Sequence, residues 1–189
     1  MDNLELLELA AANFADRLGA VGDDQWDLPT PCEGWAVRDL VHHVVGGNAM
    51  VVVLADGGSA DDALAVLSVT ELGDDVTTQF AESAASQAAA FAEEGVLGRI
   101  FHHPAGDMPG EVVLGFRIGD LTIHAWDLAR ATGGDDALPD ELVEAVHATL
   151  LPMAPMLGSI GMFGEGPSEN ASAEAPLQDQ MLDLAGRRP

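Results

Sequence analysis

The chemistry in this chain is concentrated in two segments far apart in sequence. One is Asp120-Leu121-Thr122-Ile123-His124-Ala125-Trp126-Asp127-Leu128; the other is Arg38-Asp39-Leu40-Val41-His42-His43. Asp120 and His124 are four residues apart, so on a helix they share one face, about 6 Å apart along the axis. One histidine brought from a second helix completes a two-His, one-carboxylate set. Such a set leaves coordination positions of a divalent metal open, as catalytic rather than structural sites do.

Helical angles choose between the adjacent histidines. With Leu40 at the centre of the buried stripe, Val44, Gly47, Val51 and Leu54 lie within about 40° of it. His43 lies about 60° to one side and borders the core, whereas His42 points away, beside Arg38. On the other segment Val113, Phe116, Asp120, His124 and Ala131 share a face, with Asp127 within about 20° of Asp120. The predicted ligands are therefore His43, Asp120 and His124, with Asp127 behind them orienting an imidazole. An acid on an apolar stripe is costly unless paired or ligating, and Arg117, three residues before Asp120, offers the simpler pairing. Arg117 is also a candidate to hold a substrate carboxylate.

Other chemical groups carry weaker signals. His102 and His103 precede Pro104 in a predicted loop, where His103 is a candidate for the mouth of a substrate pocket. His147 sits among apolar residues as scaffold. Cys32 needs an activating base to act as a nucleophile; none is visible nearby in sequence, so a small buried thiol is expected. Gly115 and Gly119 are expected to allow close helix approach. P-loop, G-x-G-x-x-G, G-x-S-x-G and H-E-x-x-H patterns are absent.

The elements that position these residues have helical periodicity throughout. Helices are predicted over about 3–20, 36–55, 74–94 and 111–132, and a fifth from Pro139 to about Leu151. Residues 60–72 are ambiguous, residues 96–110 read as an ordered loop, and Leu177 to Leu184 can form a last turn or two. Stops at Asp56-Gly57-Gly58, Gly95 and Gly133-Gly134 support these boundaries. The pattern predicts an all-α, antiparallel four-helix bundle with an additional helix near the C-terminus, forming one domain over 1–189. About 156–176, rich in Gly, Ser, Pro and Glu, is expected to be a flexible, protease-sensitive loop.

Bulk composition narrows the partners. The net charge is -25, from 32 acids against 7 bases, all of them arginine. A surface this acidic repels nucleic acid and anionic membranes, and the absence of lysine excludes Schiff-base chemistry on a lysine side chain. A single cysteine excludes an intrachain disulfide. The acidic start lacks a signal peptide's basic region, and the stretch from Leu40 to Ala55 is too short and too polar to span a bilayer. A cytoplasmic protein with a small-molecule substrate is expected.

Several runs also resemble a known family. Trp26-Asp27-Leu28-Pro29-Thr30-Pro31-Cys32-Glu33-Gly34-Trp35, continuing to His43, is similar to the start of the actinobacterial mycothiol-dependent maleylpyruvate isomerase N-terminal family. That family is part of the DinB-like superfamily of metal-binding helical bundles. Gly106-Asp107-Met108-Pro109-Gly110, Ile123 to Gly133, and the closing Leu184-Ala185-Gly186-Arg187-Arg188-Pro189 resemble it too. The resemblance implies a divalent metal, usually zinc, on His43, Asp120 and His124, the residues the helical angles select. It also implies mycothiol or another low-molecular-weight thiol as co-substrate, and it admits a homodimer. The isomerase has Glu where this chain has Asp120, so a shorter arm must reach the metal. It also has a C-terminal domain with no counterpart here, so maleylpyruvate isomerisation itself is not implied.

Three functions remain open on the sequence. The first is a metal-dependent thiol S-transferase or isomerase acting on a small electrophile. The second is a non-catalytic metal- or small-molecule-binding stress or resistance module. The third is a metal-free bundle in which Arg117 merely neutralises Asp120.

Overall fold

The computed structural model of the protein describes residues 1–157, 166–168 and 174–189. The first helix, α1 (Asn3–Leu18), starts where Asp2 accepts from the backbone N–H of Leu4 and Glu5 while Glu5 reaches back to Asp2. That reciprocal cap satisfies donors the helix cannot satisfy itself. Ser59 and Asp62 repeat it at α3 (Ala60–Val69), and Asp75 caps α4 (Val76–Ala92). The two long apolar helices are α2 (Val37–Ala55) and α5 (Gly110–Thr132). The latter ends where Gly133 takes a left-handed φ of 74°, a conformation that costs other residues. Next come α6 (Asp140–Leu150), the short α7 (Ala154–Leu157) and α8 (Leu177–Leu184).

The four long helices pack in a ring: α1 on α5, α5 on α2, α2 on α4, and α4 on α1. α3 lies against α2, while α6 packs on α5 and α8 on α6. Phe14, Phe80, Leu40, Leu114, Leu121 and Trp126 are among the large side chains buried between them. The predicted all-α architecture is what the structure shows, and the ambiguous 60–72 stretch is mostly helix. α2 is long and apolar enough to cross a bilayer by composition alone, against the expectation from its sequence. It is apolar because it packs on three other helices, and most of it is buried inside the fold.

The expected loop over 96–110 differs. It contains a two-stranded antiparallel hairpin, β1 (Ile100–His103) and β2 (Gly106–Pro109). Phe101 is buried while its neighbours Ile100 and His102 are exposed, which is strand alternation. A four-residue strand is too short for that alternation to stand out in sequence. The flexible loop expected over 156–176 falls largely on residues outside those described.

Candidate metal centre

Three side chains from two helices meet where α2 crosses α5. Asp120 Oδ1 lies 3.1 Å from His43 Nε2 and 3.4 Å from His124 Nε2. Ligand atoms about 2.1 Å from one tetrahedral ion stand roughly 3.4 Å apart, so both separations fit a shared cation. The shorter also fits a hydrogen bond; the longer is stretched for one. The three ligand atoms all lie within 4.8 Å of one another, which makes them a group that could hold a metal ion. The shorter Asp120 arm therefore does reach the histidine on the facing helix.

Each of the two candidate ligands on α5 is gripped from behind. Arg117 donates from Nη1 to Asp120 Oδ2 at 2.7 Å, leaving Oδ1 turned towards the imidazoles. Neutralisation by Arg117 thus uses Oδ2 and leaves Oδ1 available to a cation. Arg117 is buried and is itself held by Gln87 Oε1 at 2.8 Å, Asn48 Oδ1 at 2.7 Å and the Val44 carbonyl at 3.3 Å. Gly47 makes room for it: a Cβ there would stand 2.9 Å from the guanidinium carbon. With all these bonds, Arg117 positions Asp120 and is poorly free for a substrate carboxylate.

His124 Nδ1 contacts Asp127 Oδ2 at 2.9 Å. The fully buried Asp127 is clamped in turn by Arg187, whose Nε and Nη2 reach its two oxygens at 3.0 and 2.6 Å. Cys32 joins this group, its sulfur 3.3 Å from Asp127 Oδ2, 3.2 Å from Arg187 Nη2 and 3.9 Å from His124 Nδ1. The expectation that Cys32 has no base nearby is therefore corrected, because the loop carrying it folds over α5. That loop is tied down by Thr30 N–H to the Trp35 carbonyl and Val37 N–H to the Leu28 carbonyl, and Gly34 turns it with φ 78°. It also sets Trp35 over both imidazoles, with ring centroids 4.9 Å from His43 and 6.0 Å from His124. Cys32, His124 and Asp127 form a second group with metal-ligand reach. There the Arg187 cation already occupies the carboxylate.

The charges follow from these contacts. Burial opposes the Asp120 carboxylate charge, but His43, Arg117 and His124 together hold its pKa well below the usual range. Burial also opposes a charged His124, yet Asp120 first, then Asp127 and Cys32, raise its pKa well above the ordinary imidazole value. Asp127 is brought down to about 2, because His124 and Arg187 outweigh its burial.

His43, Asp120 and His124 border a cavity of about 240 Å³ bounded by α2, α3, α5 and α6, with His103 and Pro104 of the hairpin at its edge. His103 thus borders the cavity without joining the ligand trio. Burial lowers its pKa first and Arg117 second. Gly115 and Gly119 line the cavity as well. A Cβ on Gly115 would meet nothing within 4 Å, so its role is not the expected close helix approach. His42, which the helical angles point away from the core, is half-buried, its Nε2 2.5 Å from the Thr70 carbonyl, because the end of α3 passes over it.

A family model for the mycothiol maleylpyruvate isomerase N-terminal domain matches residues 7–129. The chain belongs to that family. Among similar relatives of this family member is an uncharacterized protein of Mycobacterium tuberculosis, found in two strains. It is 34% identical over 189 residues, covering 99% of this chain and 98% of its own. A crystal structure of a mycothiol-dependent maleylpyruvate isomerase superposes with a TM-score of 0.63 at 18% identity, covering 78% of this chain and 68% of that one. A histidine-to-alanine mutant of the isomerase gives 0.60 at 17% identity and the same coverage. At these identities the likeness establishes a shared fold.

The sequence pattern of this family member points to His43, Asp120 and His124, which the fold brings together, but it does not point to four residues around them: Arg187, Asn48, Gln87 and Trp35. Arg187 and Trp35 both lie in runs that carry the family resemblance. Asn48 and Gln87 are fully buried amides on otherwise apolar helix faces, a signal that a polar partner lies opposite.

Proposed function

We propose that the protein binds one divalent metal, zinc by donor type, through His43, Asp120 and His124. With it the protein handles a low-molecular-weight thiol, mycothiol or a relative, in the cytoplasm. The reaction is thiol transfer to a small electrophile or a thiol-assisted isomerisation. The observation that carries this reading is the convergence of Asp120 Oδ1 and two imidazole Nε2 atoms at the end of a cavity able to admit a small molecule. Family membership supports the thiol.

Zinc held this way supplies a positive centre that favours thiolate over thiol near neutral pH. The chain's residues prepare that centre. Asp127 accepts a hydrogen bond from His124 Nδ1, so Nε2 is the ring nitrogen turned to the site and the one that would give up its proton to a metal. Arg117 fixes which Asp120 oxygen is presented. Trp35 packs against both imidazoles and helps to fix their orientation. In a transfer to an electron-poor alkene, the sulfur–carbon bond forms as the carbon–carbon π bond breaks, and the thiol proton ends on the neighbouring carbon. Isomerisation is the same addition followed by rotation and loss of the thiol.

The test is thiol consumption by zinc-loaded protein with mycothiol and a panel of electrophiles. Turnover that disappears in Asp120→Ala is expected. If no electrophile consumes thiol and Asp120→Ala alters only ligand affinity, the binding-module reading replaces this one.

A further inference from the structure

The walls of the cavity constrain its occupant more closely than the ligand trio does. Met50, Leu67, Phe116, Ile123, Val146 and Leu150 line it, and none of their side chains carries a charge or a hydrogen-bonding group. Its acid and both arginines, Asp120, Arg117 and Arg187, belong to the clamped cluster already described. Both guanidiniums are matched by a carboxylate, Arg117 by Asp120 and Arg187 by Asp127. Apart from His43 and His124, the remaining polar side chains are Thr149, whose hydroxyl donates to the Ala145 carbonyl, and His103 at the edge, whose Nδ1 accepts from the Ala105 N–H; among the described residues, no arginine on the apolar walls awaits an anion. A carboxylate among these side chains would lose its water without replacement, which is strongly unfavourable.

Size gives a second bound. A dry apolar cavity of about 150 Å³ holds benzene, so about 240 Å³ suits roughly ten heavy atoms. We infer that the substrate is a neutral, largely apolar electrophile of about that size, whose single polar group faces His43, Asp120 and His124, and that dicarboxylates are excluded. The word electrophile rests on the function proposed above; the preference for an uncharged apolar body rests on the cavity alone.

Gly115 provides the test. It lies in the body of α5, borders the cavity and faces open space where its Cβ would be. A leucine there projects into the cavity, and it suits a helix better than glycine does, so folding is not at risk. The probes are propiophenone, which has the right size and no reactive double bond, and succinate as the dicarboxylate. Each is titrated calorimetrically into zinc-loaded wild-type protein and Gly115→Leu, with zinc stoichiometry and Tm measured alongside.

Propiophenone is expected to bind wild type at least about tenfold more tightly than succinate. Gly115→Leu should weaken propiophenone at least about tenfold while zinc content is unchanged and Tm is not lowered. Tighter succinate binding in the wild type, or unchanged propiophenone affinity in Gly115→Leu, overturns the inference. If the protein takes up no zinc, the proposed function falls, and the same titrations on the metal-free chain still decide the cavity's preference.

Discussion

Replacing Asp127 with Asn removes a charge from the centre of the molecule while changing the side-chain shape very little. Asp127 is 0% exposed, and Arg187, which grips it at 2.6 and 3.0 Å, is 9% exposed. In Asp127→Asn the guanidinium stays buried with its counter-charge gone. Breaking a buried pair from one side costs about 3–5 kcal/mol. The titration of Asp127 gives an independent figure. Its pKa falls from 3.8 to about 2, and at about 1.4 kcal/mol per unit that is roughly 2 kcal/mol. A loss of about 3 kcal/mol is therefore expected in the metal-free protein, equivalent to a Tm lower by about 6–12 °C for a chain of this length.

The pH dependence gives this prediction a sign. Because the folded pKa lies below the unfolded one, the Asp127 contribution is complete above about pH 5 and is lost as pH falls through about 2. Urea unfolding in a chelator, followed by far-UV circular dichroism, should show wild type and Asp127→Asn converging as pH falls through that window. Adding Arg187→Met should restore at least about half of the lost stability, since removing both partners removes the stranded charge. A loss below about 1 kcal/mol, no convergence at low pH, or a double variant as unstable as the sum of the single ones would refute the reasoning.

Three further outcomes follow from the same geometry. His43→Ala should abolish stoichiometric zinc by elemental analysis while His42→Ala retains it, because only His43 faces Asp120 Oδ1; full occupancy in both would remove α2 from the site. Gly47→Ala should lower stability by about 1–3 kcal/mol in thermal unfolding, because its Cβ would press on the Arg117 guanidinium; an unchanged Tm would mean Arg117 has room to move. Zinc binding near neutral pH should release about one proton and strengthen as pH rises, because the raised pKa of His124 keeps it protonated in the metal-free chain. Calorimetry in buffers of different ionisation enthalpy reads that proton directly, and identical heats in all of them would contradict it.

How much was legible depended on how local the signal was. The helix boundaries follow a 3.6-residue period punctuated by glycines, and the Asp120–His124 pair is visible because four residues on a helix define a face. His43 could be separated from His42 by angle alone. The grip on these ligands involved partners the pattern does not connect. Arg187 lies 60 residues from Asp127 and Cys32 lies 95 away, both on segments without periodicity. The neighbouring Asp120 already supplies a local partner for Arg117, so nothing in the pattern requires two amides 30 and 69 residues distant. Periodicity also shows which face points inward without showing whether the space there is filled, and Gly115 was misread for that reason.

The arrangement of charge argues against a purely structural cluster. This chain has 32 acids and 7 arginines, so acids on its surface could be left in water at no cost. Two of those few arginines are buried at one place, each behind a carboxylate on α5. Holding three buried charges and a fourth, Asp120, at a cavity edge is seldom the most stabilising way to fill a core; apolar residues of similar size often serve as well or better. Had the cluster served stability alone, dense packing around it would also be expected. Instead Asp120 and the two histidines border an open apolar cavity, and on Asp120 and His124 the atoms turned away from the histidine–carboxylate junction are pinned by Arg117 and by Asp127 with Arg187. Pinning one side of each donor while leaving the other towards a cavity is what a ligand-binding centre requires and a scaffold does not.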